Sequence, residues 1–278
     1  MSDLYDRCTL ECSSTITRNY STSFSLASSL LARPMRQAIY AIYGFVRLAD
    51  EIVDTFHDKE PEALLREFEE ETKAAITRGI SLNPILHSFQ LCVRKYSIEW
   101  ELIDAFLLSM KADLAKKSHD QNSFDTYVYG SAEVVGLMCL RVFVDGDTAT
   151  YQKLTPSARA LGSAFQQVNF LRDLRDDYEG LGRSYFPQVT PSNIAGQDRL
   201  TIESGIEECF RHALSGIREL PPGARLGVYV AYRYYLSLFG KLRALPTEVL
   251  MKSRVRINDA VKLGILFRSW FRYQVNVL

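Results

Sequence analysis

The chain has 278 residues, 47% of them apolar, and its 33 basic and 33 acidic side chains cancel. At this length roughly 75% of the unfolded surface is normally buried, so a substantial core is available. The charge balance excludes a global field for nucleic acid or an acidic membrane, and any anion recognition must come from local sites.

Residues 1–30 show no basic start followed by an apolar run, so no secretory signal is expected. No run of about 18 apolar residues is found, so no membrane-spanning helix is expected. Pro34 opens a helical pattern from about Met35 to Phe56, with Ala, Ile, Tyr and Val at i, i+3, i+4 spacing. Residues 61–78 form an acidic amphipathic helix that Gly79 can end. Further helices are predicted at about 83–96, 99–115, 124–144, 155–179, 201–218, 224–243 and 255–275. Turn residues separate them, as at Asn83-Pro84, Asp145-Gly146-Asp147, Gly180-Leu181-Gly182 and Pro221-Pro222-Gly223. The Val-rich segment 134–144 is also readable as a strand. With no alternating strand pairs, repeat or low-complexity linker, the chain reads as one all-α domain, 1–278, of about ten packed helices. The cysteines, Cys8, Cys12, Cys92, Cys139 and Cys209, are odd in number and scattered, and read as reduced thiols of a cytoplasmic protein.

Two of the helices carry acidic stripes. Tyr43, Arg47, Asp50 and Asp54 fall within roughly 60° of one face, and Gln166, Asn169, Asp173 and Asp177 within roughly 80° of another. A solvated polar face is the ordinary reading of such stripes. The flanking Ile42, Phe45, Val46, Ile52 and Val53, and Phe165, Val168, Phe170 and Leu171, argue instead for helices inside a core. Six carboxylates (Asp50, Glu51, Asp54, Asp173, Asp176, Asp177) are interleaved with only Arg47, Arg172 and Arg175. Uncompensated buried charge is costly, so divalent cations are expected to balance the set. All-oxygen donors with an Asn amide suit Mg²⁺, with Mn²⁺ as a substitute, and facing acidic stripes imply an anionic ligand such as a diphosphate. Other phosphate and metal signatures are missing: no P-loop, no dinucleotide fingerprint, no His-Glu-x-x-His. His57, His87, His119 and His212 stand apart from the stripes in sequence and are given no catalytic role.

The motifs Asp50-Glu51-Ile52-Val53-Asp54 and Asn169 through Asp177 resemble the paired aspartate-rich motifs of the squalene/phytoene synthase family. Tyr20 to Ser25 resembles the family's Ser-x-Ser-Phe segment, and Ala41-Ile42-Tyr43 its approach to the first motif. Met110 and Asp113 resemble its middle motif, Tyr127 to Gly136 its pocket-lining stretch, and Gly182 to Pro187 its Arg-x-Tyr-Phe-Pro segment. Glu51 departs from the pattern, where Asp is frequent, but keeps the charge.

The resemblance implies an isoprenoid-synthase helical bundle with a central cavity, and a Mg²⁺-dependent prenyltransferase. Asp50, Asp54, Asn169, Asp173 and Asp177 would hold the metal. Asp50, Asp54, Asp173 and Asp177, with Arg47 and Tyr235, would form the catalytic set. Tyr20, Ser21, Ser23, Phe24, Tyr43, Tyr127 and Tyr185 would lie along the substrate, and Arg47, Gln166, Asn169, Arg172, Tyr235 and Arg254 near the diphosphates. Tyr232, Tyr234 and Arg256 compete for the roles of Tyr235 and Arg254. Wall residues would be Phe24, Tyr43, Tyr127, Leu137, Phe165 and Val168, although any one of them taken singly reads first as ordinary core.

The small residues Ala27, Ser28 and Ser29 beyond Phe24 would leave a long tunnel. That favours two geranylgeranyl diphosphates and phytoene, for carotenoid biosynthesis, over farnesyl diphosphate and dehydrosqualene or squalene. No nicotinamide site is visible, so no NADPH is expected. A terpene cyclase is disfavoured because Asp173 and Asp177 keep the second acidic motif. A non-catalytic assembly factor is disfavoured by the complete ligand set, and an acidic scaffold by the apolar flanks of both stripes. The apolar stretch Leu263 to Arg272, with two arginines, reads as a last core helix or as a peripheral membrane contact. A monomer or weak dimer is expected.

Overall fold

The computed structural model describes residues 3–115, 118–187, 196–252 and 254–275. Among them every regular element is helical, apart from one isolated bridge between Ser118 and Ser184. In chain order these are α1 (Asp3–Tyr20), α2 (Thr22–Ser28), α3 (Arg33–Asp54), α4 (Pro61–Arg78), α5 (Pro84–Tyr96) and α6 (Trp100–Ala115). There follow α7 (Gln121–Val128), α8 (Val134–Val144), α9 (Thr148–Arg175), α10 (Gly196–Glu219), α11 (Pro222–Arg243), α12 (Thr247–Leu250) and α13 (Asp259–Gln274).

Local chemistry sets the boundaries. Ser21 caps α2 by accepting from the Phe24 amide, and Asn83 caps α5 by accepting from Ile85 and Leu86, with Pro84 at the first position. Asp147 accepts from the Ala149 and Thr150 amides, so α9 begins seven residues before the predicted 155 and runs through Pro156. Gly79, at φ 74°, ends α4 as expected.

Two expectations are corrected, and one that stood open between helix and strand is settled. The first 28 residues hold two helices that periodicity did not reveal. α1 buries Thr9, Ser13 and Thr17 instead of large apolar side chains. Its Ser13 hydroxyl meets that of Ser88 at 2.6 Å, and a side chain at Gly44 would place its Cβ 2.9 Å from Ser13 Oγ. This close packing needs small residues, and so leaves no hydrophobic stripe to read. Second, residues 134–144 are helix, as predicted for 124–144 and not a strand, joined to α7 through a π-turn at Tyr129–Glu133. Third, the resulting helix Gln121–Val144 is long and apolar enough to cross a membrane, where no such run was expected. In the structure 61% of that apolar stretch is buried inside the fold, where α8 packs on α3, α5, α6 and α9. At the C-terminus the predicted helix 255–275 is confined to α13.

The core is continuous. Phe45 of α3 stacks on Phe89 at 4.0 Å and on Phe68 at 5.3 Å. On the far side Phe170 of α9 stacks on Tyr185 at 4.2 Å. These anchors fix α3 and α9, the two helices that carry the acidic stripes.

Candidate active site

α3 and α9 border an elongated apolar cavity of about 280 Å³, closed by residues of α2, α8, α10 and α11. Along α3 its wall runs Ile39, Ile42, Tyr43, Val46, and along α9 Leu154, Ser157, Leu161, Phe165, Gln166. At about 1.5 Å per residue, Leu154 to Gln166 spans roughly 18 Å. Further along the same helix faces, at i+3 and i+4 spacing, stand Asp50 and Asp54 on α3, and Asn169 and Asp173 on α9. The cavity therefore leads toward the C-terminal ends of both helices, and the carboxylates stand there. Helix C-termini carry the negative end of the backbone dipole, which adds to the carboxylate field and favours a cation.

Arginines answer part of that field, including two that the stripe-by-stripe charge count left out. Arg47 donates to Asp50 at 3.2 Å and pairs with Glu51. Arg183 donates to Asp54 at 2.7 Å and to the Val53 carbonyl at 3.2 Å. Asp173 is gripped from two sides: Arg172 donates to its two oxygens at 2.9 and 2.5 Å, and Arg254 reaches the same oxygens at 2.7 and 3.2 Å. Arg175 pairs with Asp176 at 3.1 Å. Compensation is incomplete. Burial, with the neighbouring Asp54, pushes Asp50 up to about 7 against the pull of Arg47. Burial, with Asp173 and Asp54 nearby, likewise pushes Asp177 up to about 7.

A further carboxylate, buried in the core, completes this end. Asp113 of α6 accepts from the Tyr127 hydroxyl at 2.7 Å and the Tyr185 hydroxyl at 3.2 Å. Burial raises it to about 6, while Arg183 opposes the rise. The His119 ring lies 5.0 Å from that of Tyr127 and 5.8 Å from that of Tyr185, so this histidine joins the group from which sequence distance had separated it.

The other sequence-predicted residues divide. Phe24 and Tyr43 both line the cavity and stack at 4.9 Å. On another part of the wall Tyr235 stacks on Phe165 at 3.9 Å and donates to Asn169 Oδ1 at 3.3 Å. Gln166 reaches the cavity. The Tyr20 ring lies 4.5 Å beneath the Arg47 guanidinium and is 51% exposed. Ser21 serves as the α2 cap, and Ser23 is half-buried on α2. Tyr127, Leu137 and Val168, expected in the wall, are buried elsewhere in the core. Ala27 and Ser28 line the cavity, whereas Ser29 is exposed. Tyr232 and Tyr234 are buried away from the cavity wall, which leaves Tyr235 as the tyrosine of this stretch that reaches it.

The donor set fits a hard divalent cation. Among the described residues no three His, Cys, Asp or Glu side chains are gathered closely enough to enclose an ion by themselves. That excludes a closed structural zinc site there. Mg²⁺ instead takes one or two carboxylates and draws its remaining oxygens from water and a phosphorylated ligand, which suits carboxylates spread over two helix ends.

A family model described as squalene/phytoene synthase matches residues 17–192. The chain belongs to the squalene/phytoene synthase family. It is 31% identical over 173 residues to the presqualene diphosphate synthase of Rhodopseudomonas palustris, covering 60% of this chain and 58% of that protein. It is 27% identical over 263 residues to the chloroplastic phytoene synthase 1 of Arabidopsis thaliana, covering 88% of this chain and 61% of that protein. The chain thus spans less than two thirds of the length of these two relatives. A dehydrosqualene synthase crystal structure superposes with a TM-score of 0.84 at 20% identity, over 99% of each chain. That likeness establishes the isoprenoid-synthase fold.

Proposed function

We propose that this chain is a prenyltransferase that joins two prenyl diphosphates head to head, with geranylgeranyl diphosphate as the substrate and phytoene as the product. The observation that carries the reading is the apolar cavity that leads along α3 and α9 to Asp50, Asp54, Asn169 and Asp173. A molecule with a long hydrocarbon tail and an anionic head matches both ends.

Asp50, Asp54, Asn169, Asp173 and Asp177 are the residues that would hold Mg²⁺. When bound, the ion would neutralise the departing diphosphate as a Lewis acid. Arg47, Arg172 and Arg254 supply fixed positive charge where diphosphate oxygens would lie, and Arg172 and Arg254 already converge on one carboxylate. Gln166 and Asn169 offer amide contacts beside them. In the first half-reaction one substrate loses diphosphate to leave an allylic cation. The double bond of the second attacks it, and proton loss closes a cyclopropylcarbinyl diphosphate. In the second, that intermediate loses its diphosphate, rearranges and loses a proton. The departing diphosphate accepts the proton, directly or through the hydroxyl of Tyr235 beside Asn169, which passes its own proton on as it takes one. Through both steps the cavity excludes water, and the ring faces of the Phe24–Tyr43 and Phe165–Tyr235 stacks stabilise positive charge.

The C20 assignment is supported by Ala27 and Ser28, whose small side chains line the cavity. A C15 reading, with farnesyl diphosphate giving dehydrosqualene or squalene, is favoured by the dehydrosqualene synthase likeness. Incubation with each substrate and Mg²⁺, with and without NADPH as the hydride donor that squalene formation needs, followed by mass spectrometry of the extracted hydrocarbon, decides between them. A C40 product supports the first reading and a C30 product the second.

A further inference from the structure

The inner face of α13 packs chiefly on α11 and touches α2. Ile265 joins a small core of Ala27, Val230 and Tyr234. The Tyr234 hydroxyl donates to the Lys262 carbonyl at 3.2 Å, and the Lys262 ammonium donates to Thr22 Oγ1 at 3.1 Å. The outer face is different. At about 100° per residue, Leu263, Phe267, Trp270 and Phe271 share roughly 100° of the helix. They are 60%, 66%, 43% and 57% exposed. Single exposed apolar side chains are ordinary on a protein surface, but a contiguous stripe marks an interaction site.

Positive charge borders the stripe. Arg268 and Arg272 follow it round the helix. Arg272 and Arg233 of α11 both reach the Tyr229 hydroxyl at 3.4 Å, so two guanidiniums converge on one neutral oxygen. Among the described residues, none of the ion pairs involves Arg233, Arg268 or Arg272. The face therefore offers apolar bulk beside unbalanced positive charge. A second copy fits it poorly, because it would bring the same arginines to the interface and no carboxylate from this stretch of α13 to meet them. A bilayer with anionic headgroups complements both features.

We propose that the outer face of α13 docks this protein on an anionic lipid surface. Leu263, Phe267, Trp270 and Phe271 enter the boundary between headgroups and acyl chains, and Arg233, Arg268 and Arg272 meet headgroup phosphates. This inference stands on α13 and does not require the catalytic reading. α2 and α11 also carry the cavity-wall residues Ala27, Gly227 and Ala231, so docking sets the cavity one helical layer from the bilayer.

The test is co-sedimentation of the purified full chain with vesicles of phosphatidylcholine alone or mixed with phosphatidylglycerol. Binding to the mixed vesicles is expected, weakening as salt is raised. Trp270 emission should shift to the blue on binding, and the shift should vanish in Trp270→Phe, which leaves Trp100 as the remaining tryptophan. Arg268→Glu with Arg272→Glu should bind about tenfold more weakly or worse. Phe267→Ser with Phe271→Ser should also lose binding. Both pairs change exposed side chains, and unaltered helicity and thermal midpoint would show the fold intact. Failure to bind either vesicle, or equal binding by the paired variants, would overturn the proposal. So would a concentration-dependent dimer in light scattering that the phenylalanine variants abolish, since that outcome assigns the face to a second copy.

Discussion

Arg183 donates to the Asp54 carboxylate at 2.7 Å across 129 residues of chain, and so ties the turn after α9 to the last turn of α3. Arg183 is buried, at 7% exposure, and it also holds the Val53 carbonyl. Arg183→Ala should leave Asp54 without its cation among neighbouring carboxylates. Breaking a buried pair from one side costs about 3–5 kcal/mol. The low end applies here, because the Asp54 side chain keeps 37% exposure. Arg183→Lys keeps the charge but lacks the fork that spans Asp54 and the backbone, and should fall between. Chemical denaturation of the three proteins checks the order.

Stability should depend on pH in the direction opposite to ordinary acid unfolding, and a divalent cation should remove the dependence. Asp50 and Asp177 are raised from 3.8 to about 7, and Asp113 to about 6. Between the unfolded value and these raised values the folded protein holds more protons than the unfolded chain. The contribution of the three groups is therefore complete below about pH 4 and is lost as pH rises through about 7. Mg²⁺ competes with those protons, so it should raise the thermal midpoint more at pH 8 than at pH 6. An equal or larger shift at pH 6 would contradict this electrostatic account.

Tyr235→Phe keeps the ring on Phe165 and removes the hydroxyl that donates to Asn169. The stability change should be about 0.5–1.5 kcal/mol, the net worth of one hydrogen bond. If the hydroxyl orients Asn169 or takes a proton, kcat should fall about tenfold or more while KM changes little. Steady-state kinetics on the variant separates this from a packing role, which would leave kcat unchanged.

Ser28 is 4% exposed and lines the cavity. Ser28→Phe would fill part of the tunnel and should shift preference from C20 toward C15 substrates. A change of about tenfold or more in the ratio of kcat/KM values is expected, since one methylene alone in an apolar pocket is worth about 10–200-fold. Competition between farnesyl and geranylgeranyl diphosphate measures it.

The acidic stripes were legible because a helix that is apolar on nearly every other side betrays its polar line. Asp50 and Asp54, and Asn169 and Asp173, therefore showed themselves by spacing alone. Arg183 did not. It stands in a segment whose resemblance to the family was visible, but its partner lies 129 residues away, beyond any local period. Arg254 was placed near the diphosphates, but not against Asp173, where the structure sets it. Missing these two arginines made the carboxylates look less compensated than they are. α1 escaped for the reason given by Ser13 and Gly44: its contact surface is built from small and hydroxyl-bearing residues, to which hydrophobic periodicity is blind.

The central claim is that two prenyl diphosphates become one hydrocarbon. Its most direct test is the stoichiometry of diphosphate released to hydrocarbon formed by the purified chain with geranylgeranyl diphosphate and Mg²⁺. The account predicts two diphosphates for each hydrocarbon of doubled carbon number, and none when the metal is chelated. One diphosphate for each hydrocarbon of unchanged carbon number, or no release from either geranylgeranyl or farnesyl diphosphate, would contradict it.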